Sequence, residues 1–125
     1  MKGFGHAVPN ATVNDFCSRL VEYLLSEGYY PVPYNGRQGP ARTGATAYTK
    51  EDVPFRTEPI LIDDCRVGPD NTPVLKIVIR DAEGMNKVLH DTVCQLLAEY
   101  GITEPKDCAR QPPEKGTRVY ALRRS

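Results

Sequence analysis

The sequence predicts an α+β domain in which two amphipathic helices cover one face of a mostly antiparallel, four-stranded sheet. This is a two-layer sandwich in the order α-β-β-β-α-β. Three observations predict it. Apolar residues recur at helical spacing in two separate segments, and strand-like runs lie between and after them. The 125 residues hold one domain, 1–125, with no room for a second.

Residues 1–11 are small, contain Gly and Pro, and read as an irregular N-terminal arm. Thr12 stands as an N-cap with Asp15 three residues on. Val13, Phe16, Cys17, Leu20, Val21, Leu24 and Leu25 then form one continuous helical stripe, and Gly28 sits where a glycine ends such a helix. Tyr29 to Tyr34 is aromatic and β-branched but carries Pro31 and Pro33, so it reads as an edge strand or an extended segment. Asn35 to about Pro54 has three glycines and no apolar period, so residues 35–54 read as a long loop.

Ile60 to Val67 reads as a strand, Gly68 to Pro73 as a turn, and Val74 to Arg80 as the strongest strand of the chain; together they make a hairpin. The second helix is expected from about Ala82 to Tyr100, with Asp81 as N-cap and a stripe of Met85, Val88, Leu89, Val93, Leu96, Leu97 and Tyr100. Gly101 stops it. A polar connection, 104–116, leads to a last strand from Thr117 to Arg123. The helix ends Leu24-Leu25-Ser26-Glu27 and Leu96-Leu97-Ala98-Glu99 look alike, over too few residues for a repeat.

Lys plus Arg and Asp plus Glu are 16 each, a formal net charge of zero, which argues against a general nucleic-acid coat or a polybasic membrane binder. No apolar run is long enough to span a bilayer and no secretory signal opens the chain, so the expectation is a soluble intracellular protein with reduced thiols and no membrane partner. The zero conceals a gradient. Residues 1–29 carry −1, 30–57 carry +2, 58–104 carry −5 and 105–125 carry +4. Opposed charged faces suit ordered self-association.

Few residues suggest chemistry. Gly39 to Thr46 fits a phosphate-loop frame except that Ala45 stands where the lysine belongs, and no helical stripe follows. Asp63 and Asp64 are adjacent, so on a strand they point to opposite faces and do not converge on a metal. Cys17, Cys65, Cys94 and Cys108 form no zinc pattern; His90 and Cys94 lie four apart on one helix, two ligands without a third. With His6 in the arm and His90 on a helix, no catalytic set assembles, and neither enzyme activity, metal nor cofactor is expected. The interface or anion-binding candidates are Tyr30, Tyr34, Arg37 and Arg42 around the loop, with Arg118, Tyr120, Arg123 and Arg124 in the last strand. Tyr and Arg are what protein interfaces enrich.

The stretch Thr72-Pro73-Val74-Leu75-Lys76-Ile77-Val78-Ile79-Arg80-Asp81 and the helix Met85 to Tyr100 resemble the central strand, arginine and helix of tail terminator (tail completion or minor capsid) proteins of long-tailed bacteriophages. The resemblance extends in element order over residues 12–34 and 60–124, while the 35–54 loop is longer and richer in Arg and Thr than that pattern. It implies a structural virion component assembled in the host cytoplasm. Such a protein forms a ring homo-oligomer, a hexamer, that ends the tail tube and meets the head-connector proteins, with DNA in its lumen. Arg37, Arg42 and the Tyr29–Tyr34 segment would then line a subunit or tube contact, and Arg118, Arg123 and Arg124 would face a neighbour or the lumen. The other reading is a small binding module that takes RNA, a nucleotide or a protein on the arginine loop 35–49.

Overall fold

The computed structural model describes residues 7–33, 44–51, 58–102 and 115–125. Over these residues the chain is α+β, with two helices and five antiparallel strands. Helix α1 spans Asn10–Ser26; strands β1 (Tyr30–Pro33), β2 (Ala45–Thr49), β3 (Ile60–Val67) and β4 (Thr72–Ile79) follow, then helix α2 (Lys87–Glu99) and strand β5 (Arg118–Arg123). The sheet runs β1-β2-β3-β4-β5, every strand beside its predecessor.

The fifth strand is a correction to the four expected. It is β2, inside the segment 35–54 read as loop. In Ala45-Thr46-Ala47-Tyr48-Thr49 the alternation is between small and larger residues rather than apolar and polar, so it carries little hydrophobic signal. Pairing on both sides makes it a strand: Tyr48 lies opposite Pro31 and Ile60, and Ala47 opposite Val32 and Leu61. Gly44 opens it with φ +90°, and its carbonyl accepts the Asp64 N–H at 2.9 Å. A Cβ there would stand 2.7 Å from the Asp64 carbonyl oxygen, so glycine is required twice over. A strand rather than a helix thus follows Gly44, and the phosphate-loop frame lacks its structural context.

Strand parity sorts the sheet into two faces. Tyr48, Ile60, Ile62, Leu75, Ile77, Ile79, Tyr120 and Leu122 share one face and pack in a single cluster with Val13, Phe16, Leu20 and Leu24 of α1 and Leu89, Val93, Leu96 and Leu97 of α2. The other face is lined by smaller groups: Ala45, Ala47 and Leu61 cluster with Val32 and Val78. Asp63 is buried on it, opposite Lys76.

Both helices begin elsewhere than their cap residues suggest. Helix α1 starts at Asn10, after Pro9, with no side-chain cap at Thr12; this also shortens the expected arm. Val8 of that arm pairs in parallel with Arg124, its N–H donating to the Arg123 carbonyl at 2.7 Å. Helix α2 starts at Lys87, five residues late. Asp81 has φ +48°, its carboxylate accepts the Met85 N–H at 2.8 Å, and its carbonyl accepts the N–H groups of Gly84 and Asn86. The aspartate therefore closes turns ahead of the helix instead of capping it. Met85 and Val88, expected in the core, are 67% and 74% exposed, Met85 in the turns ahead of the helix and Val88 in its first turn; Leu25 of α1 is likewise 52% exposed.

The helix C-termini do match. In each, the glycine N–H (Gly28, Gly101) donates to the residue three back, and the next N–H (Tyr29, Ile102) reaches the carbonyl five back, at Leu24 and Leu97. These are two Schellman motifs. They equate Leu24 with Leu97, one residue off the similarity in lettering.

Edge strand β1 carries Pro31 and Pro33 at alternate positions. Antiparallel pairing to β2 survives this only if both stand where an N–H would point away from β2.

Phe16 is fully buried and packs edge-to-face on Tyr100, with ring centres 6.1 Å apart. Phe16→Ala is expected to lower the unfolding free energy by about 3–5 kcal/mol in urea titrations followed by circular dichroism.

Candidate functional site

Alternate residues of β5 put Arg118, Tyr120, Leu122 and, just beyond the strand, Arg124 on the helix-bearing face. Three of the candidate residues therefore lie in a row under the helices, and each meets a partner from another element.

Arg124 closes the row. Its side chain is 13% exposed. Nε donates to Asp64 Oδ1 at 3.2 Å and Nη2 to Oδ2 at 3.3 Å, a bidentate pair, while Nη1 donates to the amide oxygens of Asn10 at 3.2 Å and Asn14 at 2.9 Å. Most of its N–H groups are thereby used inside the fold. Helix α1 has no side-chain cap because Pro9, which carries no polar side chain, stands at the cap position. Beside this joint a cleft of about 380 Å³ opens between α1 and the sheet, lined by Cys17, Val21, Thr46, Tyr48 and Ile62 among others. Burial pushes the Cys17 thiol up from its usual range, opposed by the Arg124 charge.

Arg118, at the start of the row, is ion-paired to Glu83. Tyr120, in the middle, reaches α2. Its hydroxyl lies 2.5 Å from His90 Nε2 and 3.8 Å from Cys94 Sγ, and that sulfur lies 3.6 Å from the same nitrogen. The rings of His90 and Tyr120 stack 5.8 Å apart. Burial lowers the His90 pKa, partly opposed by Asp91, whose Oδ1 lies 3.8 Å from Nδ1. The imidazole is then neutral at pH 7, able to accept a proton at one nitrogen.

The remaining candidates divide differently. Tyr30 is 43% exposed at the start of β1. Arg123 is half-buried, and strand parity puts its side chain on the face away from the helices. Tyr34, Arg37 and Arg42 lie outside the described residues. Asp63 and Asp64 take opposite faces as strand geometry requires, Asp64 going to Arg124. Among the described residues no group of three or more His, Cys, Asp or Glu is placed to hold a metal.

Sequence reasoning missed Asn10, Asn14 and Asp64 as partners of Arg124. They lie 60 or more positions away, and no local pattern signals such a contact. The His90–Cys94 spacing was visible; the arrival of Tyr120 was not. The charge gradient also reads differently in space. Glu83 and Asp64 belong to the acidic segment 58–104 and pair with Arg118 and Arg124 of the basic segment 105–125, so part of the expected opposition cancels within the molecule.

No family model matches the chain, and neither a curated protein nor a solved structure matches it.

Arg124→Ala removes both halves of the joint. Because Asp64 is 57% exposed and stays partly solvated, the expected loss is about 1–2 kcal/mol in urea titrations, smaller at high salt.

For His90 the folded-state pKa lies below the ordinary 6.5, so the unfolded chain binds the proton more readily. Its contribution to stability is full above that pH and is lost as pH falls through the folded value. Thermal melts between pH 7.5 and 5 should show a decline that His90→Gln reduces.

Proposed function

We propose that this chain is a structural assembly protein acting as a closed homo-oligomer, a ring that ends a phage tail tube and joins it to the head connector. The finer architecture belongs to the same reading: a two-layer domain whose sheet edges face its neighbours in the ring. The supporting observation is a pair of exposed apolar patches at different sheet edges. Met85 and Val88 lie beside the start of β5, next to the Glu83–Arg118 pair. Leu25 and Tyr30 flank the Gly28 turn at β1, the other edge.

The register Tyr30–Thr49, Tyr48–Ile60, Ile60–Ile79 and Ile79–Arg118 puts both patches toward one end of the sheet, about four strand spacings or ~19 Å apart. Exposed apolar groups gathered into contiguous patches mark contact surfaces. Two unlike patches on one subunit are what a heterologous contact needs, and heterologous contacts form rings where the rotation between neighbours closes. The tail-terminator resemblance, carried by β4 and α2, names the setting.

The mass in solution by multi-angle light scattering is expected to be a multiple of 13.9 kDa. Met85→Asp and Leu25→Asp should each break the ring while leaving the circular dichroism unchanged. Mixed together, the two variants should form a dimer and nothing larger, because one intact contact remains between them. A strictly monomeric wild-type protein overturns the reading.

A further inference from the structure

The cluster of His90, Cys94 and Tyr120 has no part in the assembly reading, and its chemistry is separate from it. The helix places His90 and Cys94 one turn apart on one side of α2, and the pairing of β5 with β4 brings Tyr120 against both. Three polar groups with mutual distances of 2.5, 3.6 and 3.8 Å meet in a half-buried position between helix and sheet. We infer that Cys94 is a thiol set for exchange with small disulfides, its proton passing to His90 either directly or through the Tyr120 hydroxyl.

The tautomer follows from the surroundings. The Asp91 carboxylate near Nδ1 favours a proton on that nitrogen and leaves the Nε2 lone pair facing Tyr120 and Cys94. The Tyr120 O–H then donates to Nε2, and the Cys94 S–H donates to the tyrosine oxygen or to Nε2 itself. The charged groups bearing on His90 are Asp91 and Lys87 from α2, Glu83 from the turn before it and Arg118 from β5. They include both signs, so no single charge dominates the imidazole.

In the exchange, Nε2 takes the thiol proton and the Cys94 sulfur attacks one sulfur of a disulfide RSSR. The Cys94–S–SR bond forms as the RS–SR bond breaks. The electron pair leaves on the departing RS⁻, which takes the proton back from Nε2. Cys94 is oxidised and one equivalent of thiol is released, so atoms and charge balance.

Comparison with the other described thiols singles out Cys94. His90 is the one histidine among the described residues, and it stands at the Cys94 sulfur. Cys17 lies in the α1 cleft, where burial disfavours its thiolate. Cys65 is half-buried on β3. A mixed disulfide on Cys94 would also wedge between α2 and β5, at the contact Tyr120 makes with His90.

The probe is oxidised glutathione, added to the folded full-length chain between pH 5 and 9, quenched with acid and read by peptide mass spectrometry. Cys94 is expected to react about tenfold or more faster than Cys17 and Cys65. Its rate should show an inflection below pH 6.5, where His90 takes up its proton. His90→Gln should remove that inflection and slow Cys94 about tenfold, without altering the rates at Cys17 and Cys65. Tyr120→Phe keeps the ring but not the hydroxyl; it should slow Cys94 as well, and it carries the test if His90→Gln does not fold. A Cys94 no faster than Cys17 or Cys65 overturns the inference. So does an unchanged Cys94 rate and pH profile in a folded His90→Gln protein.

Discussion

The fold depends on the register between β3 and β4. With Ile60 opposite Ile79 and Ile62 opposite Ile77, four branched side chains stand on the face that both helices cover. A one-residue slip of either strand would turn its isoleucines away. Sliding β3 by one would present Leu61 and Asp63 to the helices; sliding β4 would present Lys76 and Val78. A buried charge facing Phe16 and Leu97 would cost far more than the slip recovers elsewhere. The cross-strand placement of Asp63 and Lys76 on the other face reinforces the same choice, since it exists only in the native pairing.

Strand β5 inherits this order and converts it into contacts. Because β4 fixes where β5 lies, residues 118, 120, 122 and 124 all reach the helix layer. They meet Glu83, the His90–Cys94 pair, the core, and the Asp64–Asn10–Asn14 group in turn. The last strand is thus tied along its length to residues from four other places in the chain. Two arginines of what looks in the sequence like a basic tail, Arg118 and Arg124, are structural partners.

The helices and the central hairpin were legible because they repeat a period: 3.6 along Val13, Phe16, Leu20 and Leu24, and two along Leu75, Ile77 and Ile79. The glycine stops were legible because Gly28 and Gly101 occupy a conformation other residues rarely adopt. Strand β2 was not, since alanine and threonine give almost no contrast between faces. The late start of α2 was hidden because Asp81 is a good cap in either role, and only the Gly84 turn decides against the helix there. The Arg124 joint was illegible in principle. A guanidinium chooses its partners from whatever the finished fold brings near.

The two prolines of β1 have a consequence for growth. A sheet edge extends by trading N–H for C=O with an incoming strand, and at Pro31 and Pro33 this edge has only carbonyls to trade. A newcomer finds half of a ladder. The backbone is therefore a poor adhesive on that side, and whatever joins there must be held by side chains, whose shapes are specific and whose supply on any one surface is finite. An edge of this kind favours contacts that are selective and stop over contacts that repeat without end.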